Sequence, residues 1–142
     1  MRIYYIFNIK EPLYNLYYKK EYVLYDVLEE LYKLNKKDLV LGYKFFNEFA
    51  LPFNKLQINT YIYNKEKDNI TYIKNLNNHI INDRFNNENS ILTVFNSHLL
   101  LKTNKDISKF LKILNGYNSN LFICDFNNHD YFWLSNIVKV LV

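Results

Sequence analysis

The chain has 142 residues, 49% of them hydrophobic and 23% charged, which suffices for one domain with a real core and is too little for two. Its single cysteine, Cys124, excludes an internal disulfide and a thiolate metal cluster, and points to a reducing compartment. The net charge of +4 comes from 18 basic residues scattered among 14 acidic ones, without the basic block of a nucleic-acid-binding surface.

No stretch of about 18 uncharged apolar residues occurs, and Asn8 and Lys10 interrupt the apolar start that a leader peptide needs. A soluble, cytoplasmic protein is therefore expected. Asparagine is the commonest residue, and with lysine, isoleucine and tyrosine it belongs to the residues with A+T-rich codons. Part of the tyrosine excess thus reflects a low-GC genome.

RIYYIFNI, residues 2 to 9, is a nearly continuous apolar run rich in aromatic and β-branched residues, as in a central strand buried on both faces. Pro12 suits a first helical turn, where its missing N–H has no intrahelical partner anyway, so a helix starts near Glu11. If that helix ran unbroken to Leu34, Leu13, Leu16, Val23, Leu24, Val27, Leu28 and Leu31 would share a stripe centred on Lys20. A buried lysine is costly. A break at Lys19 to Glu21 avoids it, giving a short helix and a longer one from Glu21 to Leu34. The short helix can then turn Leu13 and Tyr17, neighbours at i and i+4, into an exposed ridge.

Asp38 is a cap candidate for a further helix in which Leu39, Gly42, Phe45, Phe46 and Phe49 share the inner face, Val40, Tyr43, Lys44 and Asn47 lie opposite, and Pro52 stops the run. From Phe53 to Asn89 the patches INTYIY and NITYIK read as short strands. ILTVFNSHLLLKT reads as a hairpin turning at Asn96 and Ser97. Ile107, Phe110, Leu111 and Leu114 recur at helical spacing, with Asn104 or Asp106 as cap and Gly116 just past the end. LFICDF is a further buried strand. The expected fold is a single α+β domain, a mixed β-sheet with helices packed on it.

The densest chemistry lies in CDFNNHDYFW, with Cys124, Asp125, His129 and Asp130 close together. Cys124 sits in an apolar strand with no cationic sequence neighbour, so a buried hydrophobe outweighs a nucleophile. His129 lacks a second histidine at a ligand spacing, so a solvated turn outweighs a metal site. His79 and His98 are solitary, and with only two glycines, Gly42 and Gly116, there is no phosphate-cradling loop. Tyr4, Tyr5 and Phe7 could stack bases only if the first strand were open to solvent. Tyr14, Tyr22, Tyr25 and Tyr32 read as rings fringing a helix with wet hydroxyls. No catalytic residue, metal or cofactor is expected.

YYIFNIKEPLYNLYYKKE, the aromatic-rich helix after it and the ending LFICDFNNHDYFWL together resemble the SirA family of Bacilli, the sporulation inhibitors of replication. The resemblance implies a small non-enzymatic α/β protein that binds domain I of the replication initiator DnaA and inhibits initiation at the chromosomal origin. It further implies partner contacts from an apolar or aromatic residue and a tyrosine four positions later on the first helix, here Leu13 and Tyr17 with Tyr14 and Tyr18 beside them. The following helical region would add Tyr43, Lys44 and Asn47. Lys19 and Lys20 stand where the family usually has a glycine-containing break. A monomer that meets DnaA directly, with no nucleic acid or membrane involved, is the expectation; a basic aromatic nucleic-acid-binding domain is the alternative.

Overall fold

Arg2–Ile9 forms strand β1, and it is paired along both edges and packed on both faces. A computed structural model describes residues 1–34, 36–118 and 120–141. After β1 come helices α1 (Glu11–Tyr17) and α2 (Glu21–Tyr32), a 3-10 turn (Lys36–Asp38), α3 (Leu39–Phe49) and the two-residue strand β2 (Ala50–Leu51). Helix α4 (Lys55–Glu66) leads to β3 (Tyr72–Asn75), β4 (Asn78–Asp83), β5 (Glu88–Val94) and β6 (Leu99–Thr103). The chain closes with α5 (Lys109–Asn115), β7 (Leu121–Asp125), β8 (Asp130–Trp133) and α6 (Leu134–Leu141).

The strands form one sheet in the order β3-β4-β5-β6-β1-β7-β8, with β2 added to the end of β1. Every ladder is antiparallel, a narrower arrangement than the mixed sheet expected. The α+β class with helices on the sheet is as read from the sequence. Tyr4 and Ile6 of β1 face a core shared with Ile58 and Ile62 of α4, and with Phe110 and Leu114 of α5. Phe7 and Ile9 face a second core, built on Leu24, Tyr25 and Leu28 of α2 with Phe122 and Trp133. The period-two alternation of a strand thus feeds two cores from one segment.

The break at Lys19 to Glu21 is where the charge argument places it, and Gly116 does follow the fifth helix. The turn at Asn96 and Ser97 closes on a bond from Phe95 N–H to the His98 carbonyl at 3.0 Å. INTYIY, by contrast, is helix. Asn54 accepts from the Gln57 N–H at 3.1 Å and starts α4, and Ile58 and Ile62, one turn apart, bury against the sheet. NITYIK keeps its strand only from Tyr72. The cap of α5 is Ser108, not Asn104 or Asp106, and its Oγ accepts from the Phe110 N–H at 3.1 Å. Buried Glu88 supports that terminus by accepting from the Ser108 hydroxyl at 2.7 Å and the Lys109 N–H at 3.2 Å.

A polar chain threads the first core. Tyr72 donates to His79 Nδ1 at 2.6 Å, and His79 Nε2–H donates to Asn59 Oδ1 at 2.7 Å, which fixes the neutral tautomer. Burial, with repulsion from Lys74, lowers the His79 pKa from 6.5 to about 4. The unfolded chain takes up the proton first, so this contribution to stability is whole above about pH 6.5 and shrinks as pH falls toward 4. An NMR titration of the His79 ring should therefore show a midpoint near 4, whereas a midpoint near 6.5 would place the ring in water.

Candidate protein-binding surface

Helices α1 and α3 lie far apart in sequence, yet β2 brings the end of α3 back beside the start of α1. Asn8 pairs with Leu51 and Ile9 with Ala50, and the Lys10 N–H donates to the Phe49 carbonyl at 3.0 Å. Leu13 and Tyr17 of α1 and Phe46 and Phe49 of α3 then pack against the same second core. The residues singled out on the two helices are thereby gathered on one side of the sheet.

They do not all stand out from it. Leu13 and Tyr17 are half-buried, not an exposed ridge, because α1 lies flat on the second core with these two side chains beneath it. The large apolar side chain that α1 does present is Leu16, 61% exposed. Tyr14 meets the buried Trp133 ring edge-on at 4.6 Å and its hydroxyl lies 3.3 Å from Ser135 Oγ. The Tyr18 hydroxyl donates to Asn136 Oδ1 at 3.3 Å. These two rings clamp α1 to the start of α6. The fringe reading holds for the exposed Tyr22 and Tyr32, but Tyr25 is core, its hydroxyl donating to Glu29 at 2.8 Å.

α3 is the unusual element. None of its residues is fully buried, and of the expected inner face Leu39 and Phe45 are exposed, leaving Gly42, Phe46 and Phe49 inward. A Cβ on Gly42 would run into Leu34 Cδ1, so glycine lets α3 approach the end of α2. Asp38 occupies the cap position without making a cap bond. On the outer side Val40 is 69% and Tyr43 64% exposed, with Lys44 and Asn47 beside them. Leu41, equally bare, was not singled out in the sequence. The available signal was that apolar residues surround α3 on every side, more than one core-facing stripe can hold.

The CDFNNHD segment is structural. Cys124 is wholly buried and its thiol pKa is driven up by burial, then by the charge of Glu29, so it stays protonated. Burial pushes the Asp125 pKa up, but bonds from Asn128 and Arg2 more than offset it and hold it below the usual carboxylate range. Asp125 accepts from the Asn127 and Asn128 N–H groups at 3.2 Å, which shapes the β7–β8 turn, and His129 sits in that turn at a φ of 51°. Arg2 bridges Asp106, Asp125 and Asp130 at 3.0, 3.1 and 2.7 Å. Tyr4 and Phe7 are buried on opposite faces, so β1 offers no platform for bases.

A scan against protein families matches residues 2–138 to the family described as sporulation inhibitor of replication protein SirA. The chain belongs to the SirA family. At the level of that description it is a sporulation inhibitor of replication, a regulator with a protein partner in replication control. A search of curated proteins finds no match. Among the described residues no helix is long and apolar enough to cross a membrane.

Two sets of measurements check these placements. Tyr17→Ala should cost about 1–3 kcal/mol of stability, less than a wholly buried ring, and Leu24→Ala, on the inner stripe of α2, roughly 2–5 kcal/mol. Leu16→Ala should stay within about 0.5 kcal/mol of the parent in urea denaturation. Cys124 should resist a thiol reagent in the folded chain and react at once in denaturant; prompt labelling of the native protein would contradict a core thiol.

Proposed function

We propose that this SirA-family chain inhibits initiation at the chromosomal origin by binding domain I of DnaA through the surface formed by α1 and the outer side of α3. The observation that carries the reading is α3, a largely apolar helix of eleven residues none of which is fully buried. Large exposed apolar surface on a folded domain favours a partner, and aromatic residues supply most hot spots. Tyr43 is the anchor, with Lys44 and Asn47 as polar contacts beside it. Leu13, Tyr14, Tyr17 and Tyr18 contribute the edges that α1 leaves accessible while their bodies hold the helix in place. Occupying domain I would block the contacts DnaA makes there with itself or with loading partners. The mechanism needs no catalysis, cofactor or DNA contact.

Calorimetric titration of the monomeric chain with DnaA domain I, without DNA, should give a saturable complex, and overproduction should lower the origin-to-terminus ratio. Tyr43→Ala should weaken the complex by about 2 kcal/mol or more, roughly thirtyfold, on the hot-spot scale. Its denaturation midpoint should match the parent, because the ring is already 64% exposed. A Tyr43 variant that binds as well as the parent removes α3 from the interface. Retention of DNA at low salt, lost steeply between about 50 and 200 mM, would favour the nucleic-acid alternative.

A further inference from the structure

A groove of about 470 Å³ lies between α2, α3 and the sheet, beside the close approach at Gly42. Phe7 of β1, Leu28 and Leu31 of α2, Leu39 of α3 and Ser97 and His98 of the β5–β6 turn are among its lining residues. The volume lies within the roughly 300–1,000 Å³ of pockets that hold small molecules. Val40, Leu41, Lys44 and Asn47 do not line it, so groove and outer surface of α3 have only Tyr43 in common. A protein laid across the outer side of α3 therefore leaves the groove unfilled.

The lining selects its occupant. Among the described residues it contains no acidic residue, lysine or arginine. Burial lowers the His98 pKa, so this imidazole is neutral at pH 7. Its Nδ1 lies 2.8 Å from Ser97 Oγ, and its Nε2 has no hydrogen-bond partner among the described residues. Tyr5 and Tyr32 pair hydroxyl to hydroxyl at 3.4 Å. Aromatic and aliphatic walls with a neutral polar group favour an apolar molecule with a neutral hydrogen-bonding end, and penalise a carboxylate or ammonium with no counter-charge.

We propose that the groove between α2 and α3 is a binding site for a small uncharged amphiphile, whose apolar body lies among Phe7, Leu28, Leu31 and Leu39 and whose polar end meets His98. The site does not rest on DnaA binding, shares only Tyr43 with that surface, and is tested without DnaA. The neutral dye 1-aminoanthracene, titrated into the full chain, should bind saturably at one site with a fluorescence rise. Decanol should displace it at least about tenfold more effectively than decanoate of the same length. Leu31→Trp and Ser97→Phe, each filling the groove from a different side, should weaken dye binding about tenfold or more while circular dichroism stays native. Val40→Asp, on the outer side of α3, should leave it unchanged. No saturable binding by the folded parent, equal displacement by decanoate, unchanged affinity in a folded groove-filled variant, or loss of binding in Val40→Asp would each overturn the site.

Discussion

The structure depends on β1 being held on all four sides. It pairs with β6 and β7 along its edges, and its alternate side chains enter two separate cores. A strand so placed leaves little surface open to a protein partner, so the broad exposed surface lies on the elements it supports. On one face α4 and α5 close the first core completely, with Ile58, Ile62, Phe110, Leu111 and Leu114 wholly or almost wholly buried. On the other face α2 supplies the buried residues, and α1 and α3 cover its flanks without a buried residue of their own. The domain therefore has a tightly packed side and a loosely covered side.

That asymmetry follows from chain geometry. β2 contributes only two residues of pairing, and it fixes the end of α3 to the end of β1. The start of α3 is placed by a 3-10 turn and by the close approach at Gly42, with no cap bond from Asp38. A helix pinned at its end by two residues of pairing, and meeting its neighbour at Gly42 without a fully buried residue, leaves a groove beside it. The groove and the bare outer face of α3 are two results of the same placement. A larger residue at position 42 would push on the end of the Leu34 side chain, which lies against the glycine.

Much of this was legible in the sequence. β1, the break before α2, the β5–β6 hairpin and LFICDF all announce themselves, because each is long, strongly apolar or marked by a misplaced charge. INTYIY misled because Ile58, Tyr61, Ile62 and Tyr63 fit strand alternation about as well as a helical period, and only the Asn54 cap decides. The cap of α5 was displaced because Glu88, twenty residues before Ser108, supplies the bonds that make Ser108 the better choice. A one-dimensional pattern cannot show such a partner. The exposure of the candidate residues was not legible: amphipathic spacing places Leu13 and Tyr17 on one face of α1 but cannot say which way that face turns.

The half-burial of Leu13 and Tyr17 changes what a loss of binding there means. A side chain that packs on the second core and also met a partner would contribute to folding and to affinity through the same atoms, so its truncation would lower both. Tyr43 is packed least, since its ring is mostly in water and the core contacts of its helix come from Phe46 and Phe49. Tyr14 and Tyr18 lie at the opposite extreme, held to Trp133, Ser135 and Asn136. The tyrosines of the N-terminal third thus grade from clamp, through half-buried packing, to the mostly exposed Tyr43. Composition enriched the whole set, and position in the fold decides which of them a partner can feel.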